Sequence, residues 1–253
     1  MTSSNPAFSQ DLFAGYEQVY GAPRTRSTTT TVQGTMAKTF LLLAILSATG
    51  LWSWNATSSG DLPAALLGIS VIGGFIVAMI TMFKPTVAPV TAPIYAALEG
   101  VFLGAFSQII EMRFHAKCPG IALQAVGLTA GVTFVMLFIY GTGLIRVTDK
   151  LRSAIVMATG ALCLFYFITM VMSFFGSQMP LVWSSSPMGI GFSLLVVGLA
   201  AFNLLLDFDF IEKAAEYGAP KYMEWYGAFG LMVTLVWLYL EVLRLLRKLA
   251  DQR

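Results

Sequence analysis

Acidic side chains stand where the chain is otherwise apolar. Glu99 sits in Ala97-Leu98-Glu99-Gly100, Asp207 and Asp209 in Leu206-Asp207-Phe208-Asp209-Phe210, and Glu241 in Leu238-Tyr239-Leu240-Glu241-Val242. A carboxylate at the centre of a membrane helix costs roughly 2.5–3.5 kcal/mol on insertion scales, so acids in such runs are candidates for function by default. Their oxygens are hard ligands that suit Ca²⁺. Two brought together come to share a proton. Protonated, such a pair holds two helices together by a hydrogen bond. Deprotonated, it repels, attracts a cation and loosens the contact. Each acid also has a structural reading. Glu99 could simply bond a neighbouring helix. Asp207 and Asp209 could mark where a helix leaves the membrane. They are about 200° apart on a helix, so at most one faces inward. Asn203, one turn before Asp207, makes Asp207 the inward candidate. Glu241 and Arg244 are three apart and could pair along their own helix. Glu224 reads more readily as a solvated acid at a helix start.

The elements that hold these residues follow from composition. The chain has 253 residues, of which 57% are hydrophobic and 11% charged, and its mean hydropathy is +0.76. About a quarter of a soluble domain is charged. So few charges cannot cover so much apolar surface in water, which excludes a soluble enzyme, a disordered chain and a coiled coil. The solvent is lipid. A crossing helix needs about 20 mostly apolar residues. Seven runs qualify, at residues 36–54, 62–83, 94–110, 121–140, 154–175, 188–206 and 225–246. The third is the shortest. Lone strands would leave backbone groups unpaired in lipid, so the runs are helical. The expectation is an all-α polytopic membrane protein, with a polar tail at residues 1–35, a seven-helix domain at 36–249 and a short end at 250–253. The short connections hold no folded domain.

The tail is rich in Ser, Thr, Gly and Pro and reads as mobile. It lacks the pattern of a secretory signal, so the first helix is expected to remain as an anchor. With the amino terminus inside, nine Lys and Arg fall on the inner side against six on the outer. This favours a cytoplasmic amino terminus in a cell inner (plasma) membrane. The basic group Arg244, Arg247, Lys248 and Arg253 argues the other way, and both termini could be inside if the third or seventh run only dips into the bilayer. Gly100 with Gly104, and Gly127 with Gly131, have the four-residue spacing that lets helices approach closely, and bundle packing is the plain reading. Trp52, Trp54, Trp183, Trp225 and Tyr226 form an interfacial belt.

Other chemistry has no motif behind it. There is no Walker A loop, Gly-x-Ser-x-Gly elbow or His-Glu-x-x-His helix, so no enzyme is expected. One histidine, His115, is too few for a His-based metal site, and Cys118 and Cys163 make no disulfide framework. A net charge of +2 is no polyanion signature, and no nucleic acid is expected.

The chain resembles the Bax inhibitor-1 family, also called the transmembrane BAX inhibitor motif family, and its bacterial branch in particular. The resemblance is carried by Leu206 to Ile211, by the run Leu238 to Leu246 and by Asn5-Pro6-Ala7-Phe8. Thr31-Val32-Gln33-Gly34-Thr35, Ala97-Leu98-Glu99-Gly100 and Glu224-Trp225-Tyr226-Gly227-Ala228-Phe229-Gly230 belong with them. It spans nearly all of residues 5–250. It implies seven helices with the last one central, wrapped by two three-helix layers. It implies a pH-sensitive calcium leak governed by one acid on the sixth helix and one on the seventh. Carried over, these fall on Asp207 and Glu241, which would meet calcium ions and protons. The family's seventh-helix acid is usually Asp; here it is Glu. A seventh helix entering at Trp225 would set Glu241 about 24 Å deep, and one entering near Gly230 about 16 Å. An alignment anchored on the Arg near the end of the last helix puts Trp237 at that place instead, with Glu99, Asp209 or Glu224 as Asp207's partner. The leading expectation is a proton-sensitive calcium leak that uses Asp207 and Glu241, with Glu99, Asp209, Glu224, Asn203 and Arg244 as accessory groups and no cofactor beyond Ca²⁺. The rival is a regulatory membrane protein without transport of its own, binding a partner such as a quality-control protease. A membrane enzyme is the third.

Overall fold

The computed structural model describes residues 29–176 and 184–252. Asn5-Pro6-Ala7-Phe8, Arg24, Arg26, Trp183, Arg253 and most of the polar tail lie outside the described residues. Among the described residues there are seven α-helices: α1 (Val32–Ser59), α2 (Ala64–Phe83), α3 (Ala88–Phe114), α4 (Ile121–Gly141), α5 (Asp149–Phe174), α6 (Pro187–Glu216) and α7 (Met223–Asp251). Each is long and apolar enough to cross a membrane. In hydrocarbon a helix is the local way to satisfy every backbone group. A 3-10 turn, Pro85–Val87, leads into α3. No β-strand occurs among the described residues.

Several helices outrun their apolar cores. α1 starts at Val32 rather than residue 36, with the Thr31 hydroxyl capping it by accepting the Gly34 N–H at 3.0 Å. α3, expected to be the shortest, is 27 residues long and carries Pro93 inside. Helical backbone continues wherever hydrogen bonds do, whereas an apolar run stops at the first polar residues. The same effect moves Asp207 and Asp209. They lie within α6, which runs on to Glu216, and not in the connection to α7.

Two compact units divide the chain, and α3, α6 and α7 contribute residues to both. The first comprises residues up to 108 together with Asp209–Met232. Its core gathers Ala88, Ala214, Ala219, Met223 and Tyr226, with Phe210, Tyr222 and Trp225 against them. Gly218, at φ +63°, makes the left-handed turn between α6 and α7. That turn presents the Ala219 carbonyl to the Thr30 N–H at 2.8 Å and the Pro220 carbonyl to the Thr30 hydroxyl at 2.7 Å. Here too α3 packs on α1. A methyl group on Gly104 would land on the Gly50 carbonyl, and one on Gly100 on Thr49 and the Leu46 carbonyl. The Ser53 hydroxyl donates to the Val101 carbonyl at 2.7 Å across the same seam.

The second unit comprises Ile109–Phe208 and residues from 233 on. The Glu111 carboxylate accepts the Gly120 and Ala122 N–H groups at 2.6 and 3.2 Å, fixing the start of α4. Asn203 on α6 donates to the Thr159 hydroxyl on α5 at 2.9 Å. Gly127 and Gly131 behave unlike the other glycine pair: nothing lies within 4 Å of a Cβ built on either. Among the described residues, no helix uses the packing role expected of them. Cys118 and Cys163 are free thiols.

Candidate functional site

The acids separate by what meets their oxygens. In the second unit Asp207, on α6, is 9% exposed and takes a side-chain hydrogen bond from Thr234 on α7. Its Oδ2 is buried and has no hydrogen-bond partner among the described residues. Burying a charge without full hydrogen bonding is costly. An isolated carboxylate that keeps one oxygen bare in an apolar bundle is therefore a place where a proton or a cation gains the most.

Glu241 is saturated. Arg244 Nη1 donates to its two oxygens at 2.9 and 3.0 Å, the Tyr166 hydroxyl donates to Oε1 at 3.2 Å, and the Trp237 side chain adds a further hydrogen bond. Arg244 also donates to the Tyr166 oxygen at 2.5 Å and lies over its ring, 5.1 Å from the centroid. The pairing of Glu241 with Arg244 is the one their spacing allowed. Thr234 and Glu241 are seven positions apart, so they share a face of α7 at stations about 10 Å apart along its axis. Asp207 meets the first station, and the structure brings Glu241 together with Arg244 and Tyr166 at the second.

In the first unit Glu99 bonds Tyr95, one turn earlier on α3, and Tyr95 packs edge-on against Phe229 at 5.2 Å. Its Oε2 comes within 3.4 Å of the Cβ position at Gly74 on α2. Asp209 accepts from Lys213 at 2.9 Å, one turn along α6.

Glu224 departs most from expectation. Its place at a helix start predicts a solvated acid, and it is fully buried. Its Oε1 accepts the Thr31 N–H and hydroxyl, each at 2.9 Å, and the Lys221 ammonium at 2.7 Å, while Oε2 pairs with Lys38. Thr31, Gly34 and Lys38 occupy one face of the first two turns of α1, at i, i+3 and i+7. A side chain on Gly34 would overlap the Glu224 carboxylate. Lys38 lies over the Trp225 ring, 5.5 Å from its centroid. Sequence reasoning missed the partners Thr31, Lys38, Tyr166 and Thr234. The signal for Thr234 was its seven-residue offset from Glu241. For Thr31 and Lys38 no local signal exists, because Glu224 is 186 or more positions away.

Among the described residues no three His, Cys, Asp or Glu side chains gather to hold a metal ion. No curated protein matches the chain. Seven apolar helices and buried acids make a multi-pass membrane protein, and a family model described as Bax inhibitor 1 like matches residues 5–251, nearly the whole chain, so the protein belongs to that family.

Proposed function

We propose that this protein is a proton-sensitive cation leak, with calcium as the cargo and Asp207 as the responsive group. The observation that carries the reading is the buried Asp207 Oδ2, which has no hydrogen-bond partner among the described residues. A protonated Asp207 is neutral and content in an apolar bundle. A deprotonated one draws a cation toward its bare oxygen. Hard oxygen ligands suit calcium, and a site with a single carboxylate favours passage over capture, since tight calcium sites use six to eight oxygens. Glu241, neutralised by Arg244, positions its surroundings and does not compete for the ion.

The test is calcium flux into liposomes across a pH series. Wild-type flux should rise as pH rises. Asp207→Asn should be slow and pH-independent, because the amide mimics the neutral acid. Glu241→Gln should keep the pH response in whatever fraction folds. Identical pH-independent flux in wild type and Asp207→Asn would end the reading. The second reading, a regulatory partner in the membrane, draws on the open Gly127 and Gly131 face of α4. Absence of flux together with a membrane protein that co-purifies, and is lost on Gly127→Leu, would favour it.

A further inference from the structure

Within the second unit, polar contacts fasten α6 to α7 at two places. Toward the turn between the helices, Asp207 meets Thr234. At the opposite end, hydrogen bonds tie the start of α6 to the end of α7. The Ser185 hydroxyl donates to Asp251 at 3.1 Å, the Gln252 amide donates to the Ser185 carbonyl at 2.7 Å, and the Lys248 ammonium donates to the Gly189 carbonyl at 2.9 Å. Asp251 and Gln252 are exposed, whereas Lys248 and Gly189 are buried. The clamp therefore runs from side chains at the surface to a closed interior.

Lys248 is its innermost member. Its side chain is fully buried, and the acceptor it meets is a neutral carbonyl. Glu241, seven positions earlier on α7, is bonded by Arg244 and Tyr166. Burying a cation against a neutral acceptor is costly, and an apolar side chain of similar length would fill the same space at less cost. An ammonium does two things there that a methyl group would not. It holds a backbone carbonyl of α6, and it repels other cations.

Just beyond the clamp, α6 buries a polar atom that the fold leaves unsatisfied. Ser193, one turn after Gly189, is 1% exposed, and its Oγ has no hydrogen-bond partner among the described residues. The buried hydroxyls of Thr129 and Thr169 each bond a carbonyl of their own helix. A buried hydroxyl without such a bond is a place where water gains by entering.

We propose that Lys248, together with Asp251 and Gln252, forms a gate that keeps water and cations from the buried face of α6 at Ser193. Release of Lys248 from the Gly189 carbonyl opens that face. The role in cation passage rests on the leak proposed above. The closure against water does not, so the two can fail separately.

Thiol labelling in liposomes tests the closure. In a chain carrying Cys118→Ser and Cys163→Ser, Ser193→Cys supplies a single thiol for a water-soluble cationic methanethiosulfonate reagent. It should react slowly. Adding Lys248→Met, which keeps the length and removes the donors, should speed labelling about tenfold or more, the effect on an opening equilibrium of losing one hydrogen bond from a charged group. Adding Lys248→Arg, which keeps a cation and its donors, should leave labelling slow. Thermal unfolding checks that each variant folds, and Asp251→Asn/Gln252→Ala, which alters exposed side chains alone, should also speed labelling. Equal rates in the parent and in both folded clamp variants would overturn the gate, as would rapid labelling of the parent. Calcium flux is then measured without the Ser193→Cys change. Lys248→Met should raise it, and adding Asp207→Asn should lower it again. Faster labelling with no flux in any variant would overturn the role in cation passage and uphold the closure against water.

Discussion

Glu224, Glu241 and Asp207 are all buried carboxylates, and their oxygens meet different partners. Glu224 and Glu241 are held by cations and hydroxyls on every side, whereas Asp207 has one hydrogen bond and one bare oxygen. Removing one partner of a buried ion pair leaves the other charge uncompensated. Glu224→Gln is therefore expected to lower stability by about 3 kcal/mol, near the low end for such pairs because Lys221 is half exposed. Thr31→Ala, which removes a helix cap and one of the bonds to Glu224, should cost about 1 kcal/mol. Asp207→Asn breaks no ion pair and should leave the melting temperature level or raised. Thermal unfolding in detergent ranks the three. A melting temperature that falls more for Asp207→Asn than for Glu224→Gln would refute the distinction. The acids themselves were legible as apolar-run anomalies. Which of them is neutralised was not, because Glu224 finds Thr31 and Lys38 across most of the chain length.

The two glycine pairs look alike in one dimension and differ in three. Gly100 and Gly104 are pressed against the α1 backbone, so even one methyl group must separate the helices. Gly104→Ala is expected to destabilise by about 1–3 kcal/mol, the usual cost of overpacking. Gly131 faces open space, and Gly131→Ala should stabilise by up to about 1 kcal/mol through helix propensity. Opposite signs in the same unfolding assay are the expected result, and equal effects would contradict the packing described. Helix ends show the same division. α6 continues for ten residues past its apolar run because backbone bonding does not depend on side-chain polarity, and this carries Asp207 and Asp209 into the helix.

Seven crossings would put the two ends of a chain on opposite sides of a bilayer, and the excess of Lys and Arg in one set of loops predicts an amino terminus inside. Reporter fusions at each end should therefore report opposite compartments. Both ends on one side would mean that a helix does not cross. The basic end of α7, which opposes that orientation by charge counting, is partly neutralised by Glu241, which pairs with Arg244. Class, helix number and the presence of acids in apolar surroundings were determined by the sequence alone, because lipid imposes helices on any apolar run of sufficient length. The tertiary structure decided the rest: that Glu224 is buried under two lysines, that Glu241 belongs to Arg244 and Tyr166, and that Asp207 keeps an oxygen free. Solvent acts on each segment where it stands. A buried charge is satisfied by whatever the fold carries to it from elsewhere in the chain.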